Sequence, residues 1–481
     1  MTSSRRAFIG TAALACAGAA VGAVSGKKKP NLKIGLLSDI HIIDERSTVT
    51  FEKALRYFDK RGVDGVMCCG DIADWGLSDQ LECAAKTWFK VFPDGRGADG
   101  RKVENLMHYG DHDTTGHTYR WIKAVADAYP DEEAHRKLII PFNDRKAIWE
   151  RCFKEPWAPI VHKRIKGYDF VLAHFTKGEP GNKAGGNNPG LENLFRSTKF
   201  SPGKPIFFSQ HRIPLGTVGG ADIYLPDDGK TTKLFSEEFP NVVAFCGNAH
   251  YVATEERMIW QGGFTCVQVP SLRYSVTLPG RENSSGSSYD PKTPPFSTMG
   301  RFDSSTTKHG LMMSVYDDRI VIERLDFEHD DNMHLGADWV VPLPFGQEKP
   351  YDPAVRAAAE KAPVFPVGAK ITLKNTKGKD RGGNVHEFVS VEFPLANSTP
   401  QSPRAEDYEV RLVQSLGNVE RTLSERRVFS RHFGWHESLD KGPGYCLFPK
   451  TEIPSGRKLR FDVTPIAPFG RRGEPISIAV K

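Results

Sequence analysis

The sequence lacks several features that would assign the protein to a class at once. Beyond residue 30 it has no apolar run of the roughly 20 residues that a membrane-spanning helix needs, so no internal transmembrane segment is predicted. Its 65 basic and 59 acidic residues leave a formal net charge of +6, spread thinly enough that no nucleic-acid-binding tract is expected. With 481 residues, 39% of them hydrophobic and 26% charged, the chain is typical of a soluble globular protein of two domains.

The sequence has few cysteines, and their spacing matches no common metal-binding motif. Eight cysteines include no Cys-Xaa-Xaa-Cys pair, so a zinc ribbon is not predicted. Beyond Cys16 they form an odd set, and Cys68, Cys69 and Cys246 lie at the ends of apolar strands, where a free thiol behaves as a small hydrophobic group. Free thiols are unusual in a protein that folds outside the cell, and less unusual in one that folds before export.

Residues 1–30 predict an export signal. Arg5 and Arg6 precede an Ala/Gly-rich, weakly apolar run at 11–24, and three lysines follow at 27–29. The paired arginines resemble a twin-arginine signal, which carries folded proteins, although Gly10 stands where lysine is usual. An uncleaved anchor or a free tail is the alternative. We therefore expect a periplasmic or extracellular protein whose mature chain has no membrane span.

A repeated pattern of apolar strand, turn and polar residue organises the next 300 residues. The clearest example ends at Gly110, which tolerates a tight turn, and is followed by Asp111, His112 and Asp113. Two carboxylates beside an imidazole suit a metal ligand, a proton donor and an orienting partner. The same pattern recurs at four other strand ends, which present Asp39 with His41, Asp71, His211, and Asn248 with His250.

Helices alternate with these strands. Predicted strands at 32–38 and 64–69 are each followed by a predicted amphipathic helix, at 48–61 and 78–89. This rhythm predicts an α/β fold with helices outside a parallel sheet. In such sheets ligands gather at the carboxyl ends of the strands, where the acidic residues fall. A further strand is predicted at 253–260.

The last quarter of the chain has the sequence pattern of a separate β-sandwich. Short strands are expected at 369–373, 389–393, 408–413 and 459–463. The stretch from Arg460 to Ile476 resembles the last strands of a fibronectin type III module. We thus predict an export signal at 1–30, an α/β domain at 31–345 and an all-β sandwich at 360–481.

Taken together, the five strand-end motifs resemble the calcineurin-like metallophosphoesterase family over residues 32–325. The resemblance implies a four-layer α/β sandwich that holds two metal ions, because a pair of cations can neutralise a phosphate ester and lower the pKa of bound water. The first ion would be held by Asp39, His41, Asp71 and His250. The second would be held by Asp71 as a bridge, Asp111, His211 and Asn248. His112 would donate a proton to the leaving group, with Asp113 holding its ring.

Two positions depart from the family pattern, and both concern the second ion. Asp111 stands where the family usually has asparagine, and Asn248 where it usually has histidine. The resulting pocket is richer in oxygen and more anionic, which favours Mn²⁺ or Mg²⁺ over Zn²⁺. We expect two divalent ions, manganese first with iron, magnesium or zinc as alternatives, and weaker occupancy of the second position.

The sequence therefore predicts an exported metal-dependent phosphoesterase acting on a small phosphorylated substrate, either a monoester or a diester. Two alternatives stay open. The departures at Asp111 and Asn248 could mark a degenerate protein that binds metal or a phosphorylated ligand without turnover. The β-sandwich could instead lead the function, by recognising a surface glycan or a partner of unknown nature.

Overall fold

A computed structural model describes residues 29–115, 123–176, 190–221, 226–285, 302–329, 334–346, 348–379, 384–396, 404–435 and 442–480. Residues 1–28 of the predicted export signal lie outside these ranges. Among the helices of the described ranges, none has the length and apolar character needed to cross a membrane.

Within the described residues, twelve strands form two six-stranded sheets in the first two thirds of the chain. The strands are β1 Leu32–Leu37, β2 Gly65–Cys68, β3 Glu104–Met107, β4 Ile160–Ile165, β5 Tyr168–Ala173, β6 Ile206–Gln210, β7 Val242–Cys246, β8 Ile259–Gln261, β9 Thr265–Gln268, β10 His309–Val315, β11 Arg319–Asp326 and β12 Trp339–Pro342. The first sheet has the order β12-β11-β10-β1-β2-β3 and the second β4-β5-β6-β7-β9-β8. Both are mixed, because β10 to β12, β4 and β8 join by antiparallel pairing to strands that otherwise run parallel.

Helices connect the parallel strands. The described helices are α1 Val49–Arg61, α2 Ser78–Val91, α3 Asp111–Thr115, α4 Lys123–Ala128, α5 Glu132–Leu138, α6 Arg145–Phe153, α7 Leu191–Ser197, α8 Lys230–Glu238 and α9 Pro353–Ala359. The predicted helices at 48–61 and 78–89 thus correspond closely to α1 and α2.

The two sheets pack face to face, as the alternation of side chains along β1 shows. Ile34 and Leu36 belong to the core that also contains Phe207 and Phe245 of the second sheet. The opposite face of β1 meets α1, and Leu37 shares a core with Phe58 of that helix.

The outer faces of both sheets are covered by helices. Gly35 lies on the outer face of β1, where an added Cβ would overlap the ring of Phe58, so a side chain there would push α1 away. On the other side, Phe235 of α8 packs 5.0 Å from the ring of Phe208 in β6 and 4.9 Å from Phe195 in α7. The layers therefore run helix, sheet, sheet, helix, which confirms the predicted four-layer α/β sandwich.

One predicted strand is wrong. The chain at 253–260 forms a 3-10 turn at Glu256–Met258 and enters only the short β8. The side chain of Glu255 accepts a hydrogen bond from the backbone N–H of Arg257, 3.1 Å away, which closes the turn. A local side-chain to backbone bond of this kind competes with strand pairing.

The C-terminal region is a β-sandwich of seven strands in its described part. They are β13 Thr372–Lys379, β14 Val385–Phe393, β15 Asp407–Leu416, β16 Val419–Phe429, β17 Gly444–Pro449, β18 Leu459–Ile466 and β19 Ile476–Val480. One sheet has the order β13-β14-β17 and the other β16-β15-β18-β19, with antiparallel pairing throughout. The first strand begins later than the predicted 369–373, because a turn at Gly368, with φ of 76°, precedes it. The domain limits 31–345 and 360–481 stay predictions.

An apolar cluster joins the β-sandwich to the α/β region. Val252 and Phe302 pack with Phe429 and Phe433 of the sandwich, and the Phe429 and Phe433 rings stack with centroids 4.3 Å apart. Ion pairs surround the cluster: Arg281 lies 2.7 Å from Asp407 and Arg257 lies 2.6 Å from Glu406. The sandwich is therefore packed against the segment that follows His250.

We expect Phe433→Ala to lower the free energy of unfolding by about 3–5 kcal/mol, the usual cost of deleting a buried phenylalanine ring. Differential scanning calorimetry of the full chain measures this loss. Val419→Ala is the control, because Val419 is 63% exposed and its truncation should change stability by less than about 0.5 kcal/mol. Equal melting curves for the two variants would show that the cluster does not hold the two regions together.

Candidate metal centre

The site forms where the ends of five strands meet. Asp39 follows β1, Asp71 follows β2, Asp111 follows β3, His211 follows β6 and His250 follows β7. The first two strand ends are joined by backbone hydrogen bonds, from the N–H of Asp39 to the carbonyl of Gly70 at 3.1 Å and from the N–H of His41 to the carbonyl of Asp71 at 3.0 Å. Both sheets thus contribute polar side chains to one edge, as expected for parallel strands.

The backbone at these strand ends is strained. Eight non-glycine residues have positive φ in the described ranges, and five of them belong to the predicted site: Asp39 at 50°, His41 at 45°, Asp71 at 53°, Asn248 at 72° and His250 at 54°. Asp, Asn and His tolerate this region best, yet each such residue costs on the order of 1 kcal/mol or more. Strain gathered in one place is typical of a functional site, because the surrounding structure must hold it.

Two glycines allow the close approach of these turns. A Cβ on Gly110 would overlap Oδ1 of Asp71, and a Cβ on Gly247 would overlap Oγ of Ser38 and lie 2.8 Å from Oδ2 of Asp39. Any side chain at either position would therefore displace a carboxylate of the site.

The first group of converging side chains contains Asp39, His41, Asp71 and His250. Their ligand atoms all lie within 4.8 Å of one another. Nε2 of His250 is 3.0 Å from Oδ1 of Asp39 and 3.2 Å from Nε2 of His41. All four residues are buried. Two carboxylates and two imidazoles at this spacing form a suitable ligand set for one divalent ion.

The second group contains Asp71, Asp111 and His211. Nε2 of His211 lies 3.2 Å from Oδ2 of Asp71 and 3.4 Å from Oδ1 of Asp111. Asp71 belongs to both groups, so its carboxylate lies where a bridging ligand between two ions is required.

The three imidazoles are oriented with Nε2 toward the carboxylates. Nδ1 of His211 lies 2.7 Å from the carbonyl of Cys69, and Nδ1 of His250 lies 3.2 Å from the carbonyl of Tyr274. Nδ1 of His41 lies 2.9 Å from Oδ1 of Asp74. For His211 and His250 this contact suits an Nδ1–H donor, which leaves the lone pair on Nε2, as in metal-binding histidines.

The residues present fit a pair of divalent ions. Nε2 of His211 is buried and has no hydrogen-bond partner among the described atoms, although two carboxylates face it. A buried polar atom left in this state is costly, and a cation shared with Asp71 and Asp111 would satisfy it. Asp71, Asp111 and His211 would hold one ion, and Asp39, His41, Asp71 and His250 the other.

The carboxylates are held in their charged form. Burial alone would raise the pKa of Asp39, but His250, His211 and His41 outweigh it and hold that pKa below its usual value. Burial would likewise raise the pKa of Asp111, and His211, His112 and Arg212 lower it instead. The centre is therefore anionic and attracts cations.

His112 lies at the edge of both groups. Its backbone N–H donates to Oδ1 of Asp71 at 2.9 Å, and its ring meets the ring of His41 edge-on with centroids 4.6 Å apart. Burial alone would lower the pKa of His112, but the charges of Asp71 and Asp111 and the bond to the carbonyl of Asp74 raise it. The protonated form is thus favoured, as a proton donor requires.

The role predicted for Asp113 requires correction. Its carboxylate is fully buried and accepts backbone N–H groups, at 3.1 Å from Ile72, 2.7 Å from Ala73 and 2.7 Å from Gly110. Asp113 therefore organises the turns of the site, because it ties the end of β3 to the loop after β2. The ring of His112 is held elsewhere.

Asp74 is the residue that the sequence analysis missed. Nδ1 of His112 lies 2.8 Å from the backbone carbonyl of Asp74, and the carboxylate of the same residue faces His41. Asp74 thus orients the rings of both His112 and His41. The only sequence signal was a second aspartate three residues after Asp71.

Asn248 meets the site through its backbone. Its N–H lies 3.2 Å from both carboxylate oxygens of Asp39 and helps to fix them. Ligation of the second ion by its side chain stays a prediction.

The family comparison agrees with this geometry. The model of the calcineurin-like phosphoesterase family matches residues 32–248, so the chain contains a calcineurin-like metallophosphoesterase domain. No curated protein matches the sequence.

Several solved structures resemble the chain at low identity. A dimetal phosphatase from Danio rerio is 10% identical, with 65% of this chain and 99% of that one covered and a TM-score of 0.38. A purple acid phosphatase from yellow lupin seeds is 9% identical, with 65% and 55% covered and a TM-score of 0.35. An anchor protein of the inner membrane complex of Plasmodium is 11% identical, with 66% and 90% covered and a TM-score of 0.36.

Proposed function

We propose that the protein is a metal-dependent phosphoesterase that hydrolyses phosphomonoester or phosphodiester bonds at a two-metal centre. The observation that carries this proposal is the carboxylate of Asp71, which two groups of converging ligand atoms share. Two bound divalent ions would neutralise the negative charge of a phosphate ester and make a water molecule nucleophilic near neutral pH.

The chain's own residues supply the rest of the chemistry. Water adds to phosphorus as the bond from phosphorus to the leaving oxygen breaks. Nδ1 of His112 faces the carbonyl of Asp74 at 2.8 Å, which leaves Nε2 to carry a proton to that oxygen. The backbone N–H of His112 donates a hydrogen bond to Asp71, the residue that both ligand groups share. This bond fixes the distance between His112 and Asp71 before substrate binds. A protein that only binds phosphate has no need of such a donor, which argues against the degenerate alternative.

The proposed ions are manganese, with iron, magnesium or zinc as alternatives. The donor set contains three carboxylates and three imidazoles, and Asn248 would add an amide oxygen. Carboxylate and amide oxygens favour harder ions over Zn²⁺, most of all at the second position.

Removing the metal should abolish nearly all turnover of p-nitrophenyl phosphate and bis-p-nitrophenyl phosphate, since the shared carboxylate has no electrophile to position without it. After dialysis against EDTA, we expect Mn²⁺ to restore activity better than Zn²⁺. Asn248→His should shift this preference toward Zn²⁺ because it adds an imidazole at the second position. Equal and tightly held zinc at both positions of the purified wild type would contradict the metal assignment.

The β-sandwich is proposed to be a fibronectin type III-like module that packs against the catalytic domain. Its division into sheets of three and four antiparallel strands supports that description. A leading role for this module in glycan or partner recognition is the less favoured alternative, because the described interface places its Phe429 and Phe433 against the α/β region rather than in solvent.

We also propose export in the folded state through a twin-arginine signal. The seven described cysteines are all free and six of them are buried, which suits a protein that folds in a reducing compartment before it is exported. Replacing Arg5 and Arg6 with lysine should retain the protein in the cytoplasm, whereas replacing the later Lys27 and Lys28 with arginine should not. Cell fractionation measures the outcome, and unchanged export of the first variant would contradict the proposal.

A further inference from the structure

Arg212 is a buried arginine at the rim of the second ligand group. Its side chain is 9% exposed, and Nη2 lies 3.8 Å from Oδ2 of Asp111. The guanidinium carbon lies 5.1 Å from the ring centroid of Phe175, close enough for a cation–π contact. Its Nε is buried and has no hydrogen-bond partner in the described part of the chain. Arg212 immediately follows the ligand His211, so it accompanies that residue at the end of β6.

The contacts of Arg212 do not satisfy its charge. A distance of 3.8 Å exceeds a hydrogen bond, so Asp111 attracts the guanidinium without saturating it. A guanidinium has five N–H donors, and a buried charge with unused donors is costly. A bound anion would accept hydrogen bonds from the unused N–H groups of Arg212 and balance its charge.

The neighbours of Arg212 hold it in place. The backbone N–H of Phe175 donates to the carbonyl of Tyr109 at 3.0 Å, which fixes the aromatic ring beside the end of β3. The side-chain amide of Gln210 donates to the backbone carbonyl of Arg212 at 2.8 Å and to Oδ2 of Asp227 at 2.9 Å. The guanidinium therefore lies between a fixed ring and the carboxylate of Asp111, and a preorganised cation loses little entropy when it binds an anion.

Arg212 also compensates the charge of Asp111. The Asp111 carboxylate gives the centre one more negative charge than a neutral amide at this position would. The extra charge weakens the attraction of the centre for an anionic phosphate ester. The positive charge of the Arg212 guanidinium lies beside Asp111 and offsets that extra negative charge. Arginine is also suited to a phosphoryl group in shape, because its planar fork matches two oxygens at once.

We propose that Arg212 is a substrate-binding residue that donates hydrogen bonds to a non-bridging phosphoryl oxygen while Oδ2 of Asp111 holds its orientation. The ligand class is therefore a phosphate ester or free phosphate with at least one anionic oxygen. The inference rests on the proposed function, since it places the phosphoryl group at the metal centre.

Binding of inorganic phosphate to the manganese-loaded full-length protein tests this role without requiring turnover. Arg212→Met keeps the apolar contact with Phe175 and removes the charge. Isothermal titration calorimetry should show the phosphate Kd rising about 10- to 100-fold, the range for loss of a charge-assisted hydrogen bond. Arg212→Lys keeps the charge but loses the fork, and should raise Kd by about three- to tenfold. The Mn²⁺ affinity of both variants should stay within about threefold of wild type.

Arg46→Met is the matched control, because the side chain of Arg46 is 92% exposed and pairs with Asp44, 2.6 Å away, rather than with a residue of the centre. The Asp111→Asn background separates direct binding from charge balance. Arg212→Met should still weaken phosphate binding there. If the loss disappears in that background, or if phosphate Kd never changes, Arg212 does not bind the phosphoryl group. Should Arg212→Met fail to fold, Arg212→Lys carries the test, and an unchanged Kd overturns the inference.

Failure of the proposed function has a different signature. A manganese-loaded wild type that binds phosphate through Arg212 but hydrolyses no ester would defeat the phosphoesterase proposal and leave this inference standing. A manganese-loaded wild type that binds no phosphate at all would overturn the inference itself.

Discussion

Asp71→Asn should lower kcat/KM for phosphate esters by on the order of a thousandfold or more, because it removes the one charge that both ligand groups share. Oδ2 of Asp71 lies 3.2 Å from Nε2 of His211 and 3.8 Å from Nε2 of His41, while Oδ1 accepts the backbone N–H of His112. Asparagine has nearly the same size and tolerates the positive φ of 53° at this position. The substitution therefore removes charge with little strain.

Steady-state kinetics and Mn²⁺ titration measure this loss. The matched control is Asp94→Asn, since Asp94 also has a positive φ, of 51°, but is exposed and outside the centre. It should leave kcat/KM unchanged. The metal-free Asp71→Asn protein should melt at or above the temperature of metal-free wild type, because one of several crowded buried carboxylates is gone. Retention of a tenth or more of wild-type activity would rule out a bridging role for Asp71.

His112→Gln should lower kcat by about 10²- to 10⁴-fold for an ester with a poor leaving group, which is the usual contribution of a general acid. Phenyl phosphate is such a substrate. The loss should be much smaller for 2,4-dinitrophenyl phosphate, whose leaving group departs without a proton. A residue that only supported the fold would affect both substrates equally, so the comparison of leaving groups distinguishes chemistry from structure.

Two further variants make the assignment of His112 sharper. Asp74→Asn removes the carboxylate that faces His41 but keeps the backbone carbonyl that holds His112, so it should weaken Mn²⁺ binding by about 10- to 100-fold and leave the leaving-group dependence intact. His386→Gln alters an exposed histidine of the β-sandwich and should change neither quantity. Equal losses of His112→Gln on both leaving groups would remove the general-acid assignment.

The polar strand ends were predictable because the information is local. An apolar run that ends in glycine and aspartate encodes both the buried strand and the turn, and regular alternation with amphipathic helices limits the fold to a few topologies. That reasoning located Asp39, Asp71 and Asp111 at the carboxyl ends of neighbouring strands. The expected strand at 253–260 failed because Glu255 bonds locally to Arg257, and Arg257 also forms an ion pair with Glu406 of the distant β-sandwich.

The sequence by itself determined the class of fold and the residues from which a metal centre could be built, because strand burial, glycine turns and ligand types are properties of short segments. Only the tertiary structure decided which residues each of these side chains contacts. Asp113 binds the backbone of another turn, Asp74 holds the ring of His112, and Arg212 faces Asp111 from a different sheet. These pairs join residues roughly 40 to 100 positions apart, and contacts at that range follow from how the layers pack, which no local pattern encodes.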